Sequence, residues 1–411
     1  MSTNISSLNH NIEAAIKRVQ AVGKLRKMLE LAPEHDISER QWQAIETKLK
    51  TSEARIVGNL KQNLGHAFVS SNGSRLHGIN AQIVASDLES AKLFAFFDTY
   101  LDVLSQRHIP NLGRQLAGCD ALAYDALHRN HPALAIVEPP LVYCDRGIGA
   151  STIREGVMMP GQSANPLPLI QIPYSRLLEK CNLTSIFHEV GHEAMVRLGL
   201  KALLPEVVKK ALRQAGASDE VQNLYALWMS EIGPDFWAFC CSGLAAAGAV
   251  REVLAFPASM TFRVSWADPH PPAYLRALLN FRWCRDVWGN GIWDDWELDW
   301  RTCYPLADAP EAALNIIQET ESYLPVVSQV LLQTKFRVLE NRPISSLFEL
   351  DTLHPAALKP VANAANIGKI DLKGLPPTAH LAVFRLVKES RAMSADALDN
   401  LMTRWLYQLK K

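Results

Sequence analysis

Two histidines four residues apart constrain the fold of this chain more than any other feature. They open and close the pentapeptide His188-Glu-Val-Gly-His192. In an α-helix, residues i and i+4 share one face, so both imidazoles can reach a single metal ion. Glu189 projects to the side of this pair, where its carboxylate can lie near a water molecule without binding the metal. The spacing therefore favours a helix with a metal-binding face.

The residues around the pentapeptide predict that helix. Asn182 or Thr184 can cap its amino terminus, and Gly199 is a suitable stop after an apolar face. The alternative is a core helix whose two histidines bond only each other or a backbone carbonyl. That alternative stays open because so short a motif also occurs by chance.

A second pair of residues four apart, Glu231 and Asp235, lies in a segment rich in apolar and aromatic side chains. One carboxylate can complete a set of three metal ligands, and the other can accept the outer ring proton of a ligating histidine. Two solvated acids on an ordinary helix are the alternative, which the apolar surroundings disfavour. Gly233-Pro234 stands between the two acids, so either the helix bends there or a new helix starts at Pro234.

These residues resemble those of the gluzincins, the thermolysin-like branch of the zinc metallopeptidases. The resemblance rests on the HExxH pentapeptide, followed by Glu231 and then Asp235, and it covers about residues 165–240. It implies a zincin-like catalytic core that binds one Zn²⁺ per chain through His188, His192 and Glu231.

The resemblance also implies a mechanism and a substrate. Glu189 would activate a zinc-bound water as the general base, Asp235 would support a ligating histidine, and the substrate would be a peptide or protein. The related metzincin pattern does not fit, because its glycine and third histidine would fall on Met195 and Leu198.

Three further residues downstream are candidates for stabilising the transition state. His270 precedes a proline pair that can open a helix, with Tyr274 and Arg276 in its first turns. Each can donate a hydrogen bond to an oxyanion or fix a substrate carboxylate. A surface or capping role is the alternative for a histidine in such a turn.

Composition bears on partners and on location. Lysine plus arginine equals aspartate plus glutamate at 42 each, which gives no reason to expect nucleic acid or an anionic membrane as a partner. Seven irregularly spaced cysteines argue against a disulfide framework. The polar start lacks the pattern of a secretory signal, and no run reaches transmembrane length. We therefore expect a cytoplasmic protein, with signal-independent export as the alternative.

Hydrophobic periodicity predicts an α+β fold that is predominantly helical, with a small mixed sheet and helical regions at both ends. Strands are expected at 133–137 and 141–143. Prolines in 166–174 suggest an edge strand that could pair with a peptide, and a purely structural strand is the alternative. Helices are expected at about 12–31, 39–68, 85–107, 309–340 and 379–409, with loops at 70–74 and 360–377.

These elements suggest three regions. We expect an amino-terminal helical region at 1–110, a catalytic domain at 111–305 and a carboxy-terminal helical region at 306–411. Six of the ten tryptophans fall between Trp266 and Trp300, where core packing is favoured over a ligand cleft.

The sequence therefore predicts a zinc-dependent peptidase with Glu189 as its base. Two alternatives remain from other classes of protein. One is an inactive zinc-binding scaffold or interaction protein, whose site would be closed to water. The other is an effector or toxin protease with a narrow protein target.

Overall fold

We describe the fold from a computed structural model, in which residues 2–69, 73–366 and 370–410 are described. Within these ranges the chain is predominantly helical with a small amount of sheet, which confirms the predicted composition of elements. None of the described helices is both long and apolar enough to cross a bilayer.

The helices before the sheet region are α1 (Ser2–Val22), α2 (Leu25–Leu29), α3 (Glu39–Val69), α4 (Gly73–Ser105), α5 (Pro110–Leu127) and α6 (Pro132–Ala135). The strands are β1 (Leu141–Cys144), β2 (Ser151–Ile153), β3 (Met158–Met159), β4 (Ser163–Ala164) and β5 (Leu169–Ile172). The next helices are α7 (Ser175–Leu178), α8 (Thr184–Arg197), α9 (Leu200–Gln214), α10 (Asp219–Ser242), α11 (Leu244–Val253) and α12 (Ala258–Thr261). The last are α13 (Ala273–Trp288), α14 (Ile292–Cys303), α15 (Glu311–Ser322), α16 (Leu324–Gln333), α17 (Pro355–Asn366), α18 (Pro377–Ser390) and α19 (Ala395–Leu409).

Contacts between residues divide the chain into two compact units. The first comprises Met1–Ala117, Glu138–Cys144 and Ile153–Leu169, and the second comprises the remaining segments, including everything from Ile170 onward. The predicted division into three regions stays a prediction, because contacts do not show which stretches can fold alone.

The first unit has a helical core. Apolar residues recur along one face of α1, α3 and α4, and they bury one continuous cluster that includes Ile12, Trp42 and Phe96. The predicted segment 12–31 is two helices, since α1 ends at Val22 and α2 starts at Leu25. Helix α4 begins at Gly73, before the predicted start at 85, and residues 70–72 of the predicted loop lie outside the described ranges.

Strands β1, β5 and β2 form a sheet in that order. Backbone hydrogen bonds from Leu141 N to Pro168 O and from Asp145 N to Ile172 O advance together, so β1 and β5 are parallel. Strands β3 and β4 form a separate antiparallel pair. The strand predicted at 141–143 is therefore confirmed.

The prediction of an edge strand at 166–174 is wrong, because β5 is the middle strand of its sheet. The prolines that suggested an edge lie outside Leu169–Ile172, so every residue of β5 can donate to the ladder. The strand predicted at 133–137 is also wrong. Pro132 opens helix α6 there, and the His131 side chain accepts a hydrogen bond from the Ala133 N–H.

The second unit packs α8, α10, α11, α13 and α18 around a core of large side chains. Trp228, Trp237 and Phe384 are fully buried. Four tryptophans of the aromatic stretch are buried as core packing requires: Trp283, Trp293, Trp296 and Trp300. Trp266 is exposed. The loop predicted at 360–377 is partly helical, since Pro360 lies inside α17.

None of the seven cysteines, which all lie in the described part of the chain, forms a disulfide. Cys303 at the end of α14 is exposed, Cys144 is half-buried, and the other five are buried. Cys240 and Cys241 lie in the core, where burial raises the pKa of both thiols. Both side chains therefore pack as small hydrophobic groups.

Candidate metal centre

Helix α8 carries the pentapeptide and places both histidines on one face. The His188 and His192 rings lie 4.9 Å apart, centre to centre, at an angle of 85°. His188, Glu189 and His192 each offer a ligand atom, and these atoms lie within 4.8 Å of one another, so the group could hold a metal ion. The predicted helix is confirmed.

The amino terminus of α8 differs from the prediction. Its capping position is Leu183, and no side chain caps it. Asn182 is instead occupied with Glu179 and Arg385. At the other end Gly199 adopts a left-handed conformation with φ of 68°, as a helix stop requires.

A glycine in the pentapeptide brings α8 and α10 together. A Cβ atom on Gly191 would lie 2.7 Å from the Pro234 Cα and 3.1 Å from the Trp237 Cβ. The 2.7 Å separation from backbone is shorter than carbon atoms tolerate, so a side chain at position 191 would force one of the helices to shift. The contact sets the distance between the two histidines of α8 and the two acids of α10.

Helix α10 runs through Pro234 without interruption, so the alternative of a new helix starting there is wrong. Glu231 and Asp235 are therefore one turn apart on a single helix, and both are buried. Asp235 Oδ1 accepts a hydrogen bond of 2.7 Å from His188 Nδ1. Glu231 Oε2 lies 3.2 Å from His188 Nε2 and 3.7 Å from His192 Nε2.

Arg276 on α13 pairs with Asp235. Its Nε and Nη2 donate to the two oxygens of Asp235 at 2.8 and 2.7 Å. Arg276, Asp235 and His188 thus form a largely buried chain of charge-assisted hydrogen bonds. Sequence reasoning missed this pairing, because nothing in the residue spacing relates position 276 to position 235. A role for Arg276 on the oxyanion stays a prediction.

His270 does reach the cluster. Its Nε2 lies 3.5 Å from Glu231 Oε2, and its Nδ1 is hydrogen-bonded to Asp268 Oδ1 at 2.7 Å. The backbone N–H of His270 donates to the same Asp268 oxygen. Asp268 was not among the predicted site residues, although an acid two residues before a candidate histidine is a usable signal.

Tyr274 has partners of another kind. Its hydroxyl accepts a hydrogen bond of 3.0 Å from Arg301, and its ring packs on Phe262. Burial raises the pKa of Tyr274 to about 12. The Tyr274 hydroxyl is therefore already bonded to the Arg301 side chain. A role for this hydroxyl in transition-state stabilisation stays a prediction.

The cluster shifts the pKa of its members in opposite directions. Burial raises the pKa of Glu189 to about 7, with a further increase from the charge on Glu231. Burial opposes protonation of His188, but Asp235 and Glu231 outweigh it and raise the pKa to about 10. Burial and the neighbouring His188 charge lower the pKa of His192 to about 4.

The two acids of α10 stay ionised despite their burial. Burial raises the pKa of a carboxyl group, but Arg276 and His188 outweigh it and hold the pKa of Asp235 well below its usual value. The two histidines likewise lower the pKa of Glu231. A metal cation would have to displace the proton that these carboxylates keep on His188, and the carboxylates and imidazoles together would then be a donor set that suits zinc.

The spacing of these donors also fits. Tetrahedral ligands about 2.0–2.1 Å from a zinc ion lie about 3.4 Å from one another. The separations of 3.2 and 3.7 Å from Glu231 Oε2 to the two α8 histidines are of that size. The carboxylate on His188 Nδ1 is the outer partner that ligating histidines usually have.

Comparisons with known proteins found no match, whether against family models, curated proteins or solved structures.

Proposed function

We propose that this chain is a zinc-dependent metallopeptidase of the gluzincin type, with a zincin-like core. The observation that carries the proposal is the meeting of His188, His192 and Glu231, with Asp235 bonded to the outer nitrogen of His188. Two histidines and one carboxylate are a common ligand set of catalytic zinc, which keeps its fourth position for water or substrate.

His188, His192 and Glu231 would hold the metal. When bound there, Zn²⁺ would supply Lewis-acid chemistry, polarising a scissile carbonyl and making water more acidic. Asp235 fixes the ring orientation of His188, and Arg276 in turn fixes Asp235. The three ligand atoms are therefore preorganised by two helices and one arginine.

Glu189 would move the proton. Its carboxylate is buried beside the two histidines of α8. It takes a proton from the water that attacks the carbonyl carbon, and a C–O bond forms. The same carboxyl group then gives that proton to the amine nitrogen as the C–N bond breaks, which is ordinary general acid–base catalysis.

The first experiment measures metal per chain by native mass spectrometry. We expect about one zinc in wild type and in Glu189→Gln, and loss of zinc in His192→Ala and in Glu231→Ala. His108→Ala, which removes an exposed histidine of the first unit, is the matched control and should keep its metal.

The second experiment measures turnover on a mixed peptide library. Glu189→Gln should lower the rate about 10²- to 10⁴-fold with zinc retained, because the amide cannot accept the proton. Loss of zinc from this variant would contradict the role given to Glu189. Zinc retained by Glu231→Ala would instead move the third ligand to another residue.

A further inference from the structure

A third imidazole lies at the proposed zinc site. The Nε2 atoms of His188, His192 and His270 lie 3.2, 3.7 and 3.5 Å from a single atom, Glu231 Oε2. The last two separations exceed ordinary hydrogen bonds, which fall between about 2.7 and 3.2 Å. All three are close to the spacing of about 3.4 Å between tetrahedral zinc ligands.

The His270 ring is oriented as a ligand would be. Asp268 can only accept hydrogen bonds when ionised, so a neutral His270 that bonds to it donates from Nδ1 and keeps its lone pair on Nε2. Nε2 is the atom that faces Glu231. A carboxylate on the outer nitrogen is the arrangement that also supports His188 through Asp235.

His270 differs from the other two histidines in how firmly it is held. Its side chain is 54% exposed, against 14% for His188 and 24% for His192. It lies in the irregular segment between α12 and α13 instead of on a packed helix. Its outer partner Asp268 is itself tied to Arg263, which is exposed. Moving His270 therefore disturbs little of the core.

We infer that His270 is a fourth, displaceable protein ligand of the metal. This inference rests on the proposed function. With His188, His192, Glu231 and His270 all bound, the four tetrahedral positions are filled by protein, and no position is left for water or substrate. The resting site would then be closed, and it would open to water or substrate when His270 swings into solvent.

The test counts imidazole ligands by X-ray absorption spectroscopy on the full chain loaded with Zn²⁺. We expect three imidazoles in wild type and two in His270→Ala, with one zinc in each. His270→Gln is a second variant that keeps the size of the side chain, and His108→Ala is the control that should keep three. Zinc affinity should fall by at least about tenfold in His270→Ala, the lower end of what losing even an outer partner costs a site.

Azide tests whether the ligand can be displaced. It is a small anion that can take a metal position, and it should lower the count in wild type from three imidazoles to two. A count that stays at three in azide would make His270 a permanent ligand and overturn the inference.

Failure of the inference is distinguishable from failure of the proposed function. Two imidazoles in both wild type and His270→Ala, with zinc retained, would overturn the fourth ligand and leave the peptidase proposal intact. Absence of bound zinc in wild type, even after Zn²⁺ is supplied, would overturn both.

Discussion

Gly191 is the residue on which the site depends most without touching a ligand atom. Replacing it with alanine places a Cβ atom against the Pro234 backbone, where a helix would have to shift. We expect Gly191→Ala to cost about 1–3 kcal/mol of stability, the usual effect of overpacking. Thermal unfolding of the metal-free chain measures it. Zinc affinity should fall as well, because α8 and α10 carry the ligands.

Gly58 provides the matched control. It is an exposed glycine in the middle of α3, and an added Cβ atom there would meet no other atom within 4 Å. Gly58→Ala should therefore stabilise the chain by about 0.5–1 kcal/mol through helix propensity. If Gly191→Ala behaved in the same way, the close approach of α8 and α10 would be refuted.

The pair of Asp235 and Arg276 is a second residue-scale test. Asp235→Ala leaves the largely buried Arg276 without its carboxylate, and breaking such a pair costs about 3–5 kcal/mol. The double variant Asp235→Ala/Arg276→Met should recover part of that loss, because it also removes the unpaired charge. Urea unfolding of the single and double variants gives the coupling energy. If the losses of unfolding free energy in Asp235→Ala and Arg276→Met simply added up in the double variant, a direct interaction between the two side chains would be contradicted.

The sequence indicated which residues form the site better than it indicated which of them are hydrogen-bonded to one another. Helical spacing alone related His188 to His192 and Glu231 to Asp235, because four residues make about one turn. The bonds from Asp235 to His188 and to Arg276 join different helices. No local pattern encodes such contacts, since they depend on how the helices pack.

Helix α10 continues through a proline that would ordinarily interrupt it. Pro234 cannot donate a hydrogen bond to residue 230, which ordinarily ends or kinks a helix. The helix nevertheless continues to Ser242. Residues 231–242 of α10 are all buried, so tertiary packing outweighs the local penalty. The presence of one proline in the sequence does not show how deeply the surrounding helix is buried.

Strand prediction failed for a related reason. Prolines at 166, 168 and 173 bracket β5 but do not enter it. The residues between them are buried as a central strand requires, with Leu169, Ile170 and Ile172 almost fully covered. Position within a sheet follows from which strands pair, and that is a long-range property.

The ion pairs between α11 and α18 should make the free energy of unfolding depend on pH. Glu252 on α11 pairs with Arg385 and Lys388 on α18, at 2.6 and 2.7 Å. Burial works against ionisation of Glu252, but these cations outweigh it and lower the pKa to about 2. The folded value is lower than the unfolded one, so the stabilisation is complete above about pH 5 and is lost as the pH falls towards 2.

We therefore expect wild type to exceed Glu252→Gln in stability by about 3 kcal/mol at neutral pH. The difference should shrink steadily between about pH 5 and pH 2. Urea unfolding at several pH values measures it. A difference that stayed constant across that range would show that the ion pairs do not set the acid response.

At the scale of the whole molecule, charge balance predicts how the protein behaves in solution. The chain has 42 basic and 42 acidic residues, so its net charge at pH 7 is zero. Proteins without net charge associate and precipitate most readily. We expect solubility to be lowest near pH 7 and to rise towards about pH 5 and about pH 9. Precipitation by polyethylene glycol across that range is the measurement, and a minimum elsewhere would contradict the prediction.

The predominance of helices was predictable from hydrophobic periodicity, because the spacing of apolar residues in each amphipathic segment indicates which face of the helix is buried. The two-unit organisation was not. The segments 138–144 and 153–169 join the first unit although the stretches around them belong to the second. Such interleaving depends on contacts between distant parts of the chain.

The exposure of one cysteine provides an attachment site for a spin label in the wild-type chain. Cys303 is exposed while the other cysteines are buried or half-buried, so a nitroxide reagent should attach at that position without mutagenesis. A Cu²⁺ ion loaded in place of zinc would supply the second electron spin. Pulsed electron paramagnetic resonance between the two spins would then give the distance from the end of α14 to the metal in solution, measured on the wild-type chain.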